Sequence, residues 1–203
     1  MKKLMFPLVV VFLMSFLPNT GLTEAERAKA VDHLNKTKDH MMEVLDGLTE
    51  DQLDFKPSAD SWSIAECVEH LAISENTFGS IVQATVAAPA NPAMRDSVKL
   101  NDDQLYGLIV NRDQKVKTSE AFEPSGKFGS FKETLTAFLD KRKEHVEYVK
   151  TTTHDLRSHF NSNLPFGTVD AYQLLIFAAG HTERHVLQME EIMEHEDFPE
   201  SED

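Results

Sequence analysis

Residues 166–194 read FGTVDAYQLLIFAAGHTERHVLQMEEIME, and this stretch decides the fold. On a helix, Leu174, Ala178, His181, His185, Gln188 and Ile192 recur at alternating three- and four-residue steps, so both histidines fall in the stripe that faces a core. Gly167 and Thr168 open the segment as a turn and an N-cap, with Asp170 in the first turn where the helix dipole favours a carboxylate. Two histidines four apart can aim two nitrogens at one point, but a metal site needs a third ligand from elsewhere in the chain. The other reading is two neutral imidazoles, each hydrogen-bonded to a polar neighbour on another helix. The pair alone leaves both open.

Upstream, three further helices announce themselves by capping boxes. Thr23 and Glu26 open the first, expected over 24–46 with Val31, Leu34, Met41, Val44, Leu45 and Leu48 at helical spacing, and Gly47 stops it. The polar connection LTEDQLDFKPSADSW follows, anchored by Leu53, Phe55 and Trp62. Ser63 and Glu66 open the second helix, whose apolar face carries Ile64, Cys67, Leu71, Phe78, Ile81 and Val82, with His70 at its edge. Ser130 and Glu133 open the third, with Phe131, Leu135, Phe138, Leu139, Arg142, His145, Val146 and Val149 in register. Between residues 87 and 129 the pattern weakens to loops and one short helix, DDQLYGLIVNR. Connections of this length cross a bundle or cover a site.

Four amphipathic segments, no convincing strand and no internal repeat make an all-α four-helix bundle. Short first and third connections give antiparallel neighbours. The long crossover lets the second and third helices run the same way, an up-down-down-up order. His70 then lies about 10 Å into its helix, and His185 and His181 about 14 and 20 Å from the end of theirs, close enough in height to converge.

The 203 residues fit one domain plus a targeting segment. The start, MKKLMFPLVVVFLMSFLP, sets Lys2 and Lys3 before an apolar run too short and too broken by Pro7 to span a membrane, so 1–22 is expected to be a signal peptide for export to a periplasmic or extracellular space. An uncleaved N-terminal anchor is the alternative. No cysteine stands there for a lipid anchor, and the single cysteine of the chain, Cys67, excludes internal disulfides. The domain is expected over 23–195 and an acidic disordered tail over 196–203. The net charge of −14 becomes more negative once the leader is removed. Such a surface repels phosphate backbones and anionic lipid, so nucleic acid is not an expected partner.

Three histidines from two helices describe an open metal site with a free position for water or substrate. Other metal patterns fail: no Glu-x-x-His pair of di-iron bundles occurs, and HTERH lacks the glutamate that a zincin carries after its first histidine. The run DSWSIAECVEHLA, the long crossover and the terminal FAAGHTERHVLQM together resemble the DinB-like family of four-helix metalloproteins, over nearly the whole mature chain. The resemblance implies a bundle with its middle two helices parallel. It also implies a divalent ion on His70, His181 and His185; imidazole suits several metals, with zinc or nickel expected first and iron, copper or manganese as alternatives. It further allows a homodimer and, among relatives, transferases that use small cellular thiols, a cytosolic substrate class at odds with an exported chain.

The expected activity is metal-dependent hydrolysis or group transfer on a small molecule. The alternative is a non-catalytic metal- or partner-binding bundle. Glu69 and Gln188, beside or one turn from ligands, are candidates to orient an imidazole. Cys67 reads as a core residue, Glu183 and Arg184 as a solvated pair, and His145 as lying outside the site.

Overall fold

The computed structural model describes residues 21–113 and 116–200. The leader expected over 1–22 lies, up to residue 20, outside the described residues, as do the last three residues of the acidic tail. Among the described residues six α-helices are formed: α1 (Glu24–Leu45), α2 (Glu50–Asp54), α3 (Ile64–Ala87), α4 (Asp102–Val110), α5 (Phe131–Thr151) and α6 (Ala171–Met193). Each begins with a capping box, in which a side-chain oxygen takes an orphan N–H of the first turn while a Glu or Gln three residues on takes the cap's own N–H. Thr23, Ser63 and Ser130 do so as their spacing requires.

The α6 cap departs from expectation. Asp170, not Thr168, accepts from the Gln173 N–H at 2.7 Å. Residues before it are extended: β1 (Phe160–Leu164) pairs antiparallel with β2 (Gly167–Asp170), turning at Pro165 and Phe166 with Gly167 at φ 106°. The expectation of no strand therefore fails at one short hairpin. Strands of five and four residues, with a register irregularity between Asn161 and Leu164, leave too little alternation to read.

Contacts fix the helix directions. Arg27 of α1 donates to the Val149 and Thr152 carbonyls while Leu34, further on, meets Arg142, so α1 and α5 are antiparallel. Tyr172 donates to the Glu26 carbonyl and Glu183 meets His40, so α1 and α6 run together. Phe78 packs on Phe177 while His70 packs on His185, so α3 opposes α6. It follows that α3 and α5 are parallel, joined by residues 88–130.

Two apolar clusters fill the bundle. One gathers Leu22, Leu34, Val149, Leu156, Tyr172, Leu175 and Ile176; the other Met41, Ile64, Leu71, Phe138, Val186 and Met189. Between them lies a polar layer, one residue per helix, in the core register: Thr37, Glu75, Arg142 and Thr182 are each 1 % exposed or less. Arg142 is its hub. It pairs with both Glu75 oxygens and donates to the Leu34 carbonyl, the Thr37 hydroxyl and the Thr182 hydroxyl, joining all four long helices. Burial alone would raise the Glu75 pKa, but the guanidinium and the His145 N–H outweigh it and hold the carboxyl at about 2. A one-turn slip of any helix would bury these charges unpaired, so the layer fixes register.

Leu22, assigned to the leader by the 1–22 boundary, is 4 % exposed and belongs to the first cluster. At the other end, Phe198 stands edge-on to Phe55 and the Pro199 carbonyl accepts from Gln52, so the start of the tail is packed on α2.

Candidate metal centre

α3 and α6 bring His70, His181 and His185 together. Their ring centroids are 5.0, 4.5 and 4.7 Å apart, close to an equilateral triangle, and one ligating nitrogen from each lies within 4.8 Å of the other two. His70 Nε2 stands 3.2 Å from His181 Nε2. Nitrogens bound tetrahedrally about 2.0–2.1 Å from an ion sit roughly 3.3 Å from one another, so the pair already has the spacing of a ligand edge.

The outer nitrogens are fixed by acceptors. His70 Nδ1 lies 2.8 Å from the Phe122 carbonyl oxygen, and His185 Nδ1 lies 2.9 Å from Gln188 Oε1. Because a carbonyl oxygen can only accept, Nδ1 carries the proton in both rings and Nε2 presents its lone pair to the centre of the triangle. Burial lowers the pKa of all three imidazoles, and the neighbouring rings push His181 and His185 further down. Neutral rings are what coordination requires.

Aromatic rings wall the triangle. Trp62 lies 4.8 Å from His70 and 6.0 Å, stacked, from His185, while Phe78 and Phe177 stand 5.3 and 5.9 Å from the half-buried His181. The crossover covers the same end. Gly180, immediately before His181, has no side chain because α4 crosses there: a Cβ would meet Tyr106 Cδ2 at 3.3 Å and Ile109 at 3.4 Å.

Of the two residues expected to orient an imidazole, Gln188 touches one and Glu69 does not. Glu69 turns instead to the crossover, where its carboxylate accepts the backbone N–H groups of Ser125, Gly126 and Lys127 at 3.0, 3.1 and 2.8 Å. Its neighbour His70 donates to the Phe122 carbonyl of the same loop, so Glu69 reaches the imidazole only through backbone. Cys67 is fully buried among apolar side chains that push its thiol pKa up, as expected of a core residue. His145 lies outside the triangle, with Nδ1 2.9 Å from Glu75 and Nε2 against Gly79, where a Cβ would come within 2.7 Å. Glu183 and Arg184 are not a solvated pair: Glu183 meets His40 at 3.0 Å, and Arg184 donates to the Ile109 and Asn111 carbonyls. Trp62 and the Phe122 carbonyl are parts of the site that the sequence reading does not single out. Trp62 had a signal, since it sits within the quoted DSWSIAECVEHLA run; a backbone carbonyl has none.

A family model described as the DinB superfamily matches residues 33–189. The uncharacterized protein YuaE of Bacillus subtilis (strain 168) is 27% identical over 161 residues, spanning 74% of this chain and 88% of its own. Among solved structures, YfiT from Bacillus subtilis superposes with a TM-score of 0.56 at 13% identity, over 88% of this chain and 91% of that one. YfiT is described as a probable metal-dependent hydrolase with an unusual four-helix bundle topology. At that identity the likeness concerns the fold.

Proposed function

The chain belongs to the DinB superfamily, and from that premise we propose that it is an exported, metal-dependent hydrolase or transferase acting on a small molecule. The carrying observation is the convergence of three neutral imidazoles, two with their outer nitrogens committed to acceptors. Three nitrogen donors and an uncommitted fourth position suit a divalent ion, zinc or nickel before iron, copper or manganese. Bound there, the ion would supply Lewis-acid chemistry to a substrate at that position.

The chain's own residues do the rest. His70 and His185 are held rigid by the Phe122 carbonyl and Gln188, so little is lost in ordering them. Trp62, Phe78 and Phe177 exclude water around the rings and offer apolar contact to a ligand. Cys67 is buried as a thiol and takes no part. Among the described residues no helix is long and apolar enough to cross a membrane.

Elemental analysis of protein purified from its native compartment tests the reading, followed by assay of the loaded chain against simple esters, amides and thiol-acceptor pairs. About one divalent ion per chain with metal-dependent turnover is expected. One ion with no turnover across the panel would favour a non-catalytic metal-binding bundle, and no ion would overturn the metal-dependent reading and leave the partner-binding bundle.

A further inference from the structure

We infer that Arg112 is a positioning residue for His185, acting through the side-chain amide of Gln188; the inference rests on the three-histidine site proposed above. Arg112 stands just beyond α4 on the crossover, with its side chain 18% exposed. Nε and Nη2 each hold one oxygen of the Glu191 carboxylate at 2.6 Å, a fork-to-carboxylate pairing that fixes the guanidinium plane. The remaining Nη1 donates to the Arg184 carbonyl at 3.3 Å and lies 3.5 Å from Gln188 Oε1.

A glutamine amide has nearly the same shape either way round, so the charges about it decide which end faces which neighbour. Beside a guanidinium the oxygen must face the cation, because the NH2 group would set donor against donor. The same oxygen then meets His185 Nδ1 at 2.9 Å. Nδ1 is thereby committed to an N–H and Nε2 to a lone pair that faces His70 and His181. Without Arg112 the amide is free to turn and donate to a bare Nδ1, which moves the ring proton to Nε2. That tautomer points a hydrogen at the place where an ion would sit. Arg112 thus selects the ligating tautomer of a ring it does not touch.

The test is made on the folded, metal-free chain with nitrogen-15 in its histidines, where long-range proton–nitrogen correlation reads which ring nitrogen of His185 is protonated. The wild type and Arg112→Lys are expected to show Nδ1–H. Arg112→Met is expected to show a mixture of tautomers and about tenfold weaker zinc binding. Arg112→Met with Gln188→Glu is expected to restore Nδ1–H, because a carboxylate can only accept. An unchanged tautomer in folded Arg112→Met, or a double variant that restores nothing, overturns the inference. Should Arg112→Met not fold, Arg112→Gln takes its place: mixed tautomers are expected there too, and an unchanged Nδ1–H overturns the inference in the same way. Zinc titration of the wild type is separate: a chain that takes up no zinc sinks the three-histidine site, while the tautomer result still decides the role of Arg112.

Discussion

His70 Nε2 and His181 Nε2 stand 3.2 Å apart on helices whose residues are 111 positions distant in sequence. Two lone pairs do not meet at that distance unless something positive lies between them. In the metal-free chain that is one proton, shared between the rings; in the loaded chain it would be the ion. Because His70 Nδ1 already donates to Phe122, the shared proton belongs to His181.

His185→Ala should therefore weaken zinc binding by at least tenfold and abolish the rise in melting temperature that zinc gives the wild type. His145→Ala should leave zinc affinity unchanged, since that ring serves Glu75. Calorimetric titration of both variants checks the contrast; equal losses would contradict it.

Glu69→Gln should weaken zinc binding several-fold although Glu69 touches no imidazole. The amide keeps one acceptor for Ser125 and Lys127 but turns its NH2 toward the Gly126 N–H, which loosens the loop that carries the Phe122 carbonyl. Faster amide exchange over 122–127 should accompany the loss. Weaker binding without faster exchange would break the proposed link.

Arg142→Met should cost about 3–5 kcal/mol, because it takes the guanidinium from the buried Glu75 carboxylate and leaves it only the His145 N–H, whereas Glu75→Leu with Arg142→Met should recover most of that stability. Urea unfolding measures both. The same pair makes stability acid-sensitive. The folded pKa of Glu75 is depressed from an ordinary 4.5 to about 2, so its contribution is complete above 4.5 and fades as pH falls toward 2. Glu75→Gln with Arg142→Met should flatten the stability profile in that window.

Much of this was legible in the sequence, and the exceptions have physical reasons. A period of 3.6 with three Ser/Thr-x-x-Glu boxes locates four helices, and the i, i+4 spacing of His181 and His185 fixes their common face. Thr49, Asn101 and Asp170 head boxes of the same kind with Gln in the fourth place, so the Asp170 cap was readable in DAYQ but hidden by the earlier Thr168. The partners of the imidazoles were harder to see. Phe122 contributes only a carbonyl and Arg112 comes from a stretch without periodicity, and both act across folds of chain that spacing rules do not reach. Glu69 was marked by its place beside His70 but aims at the crossover, since a side chain next to an inward one on a helix points about 100° away.

Cleavage of the proposed leader should leave Leu22 in the mature chain. That side chain is buried among core residues, and its loss would open a cavity in the first cluster worth about 2–5 kcal/mol. N-terminal sequencing of protein taken from its native compartment should find a start at or before Leu22; a start at Thr23 or Glu24 would show that the core does without it.

X-ray absorption of the zinc-loaded chain tests the central claim most directly. Three imidazole nitrogens are expected at about 2.0–2.1 Å, completed by a light oxygen or nitrogen scatterer, with the imidazole signature lost on replacing His70, His181 and His185 by alanine. A sulfur shell near about 2.3 Å, which only Cys67 or a methionine could supply, or imidazole scattering that survives the triple replacement, would contradict it.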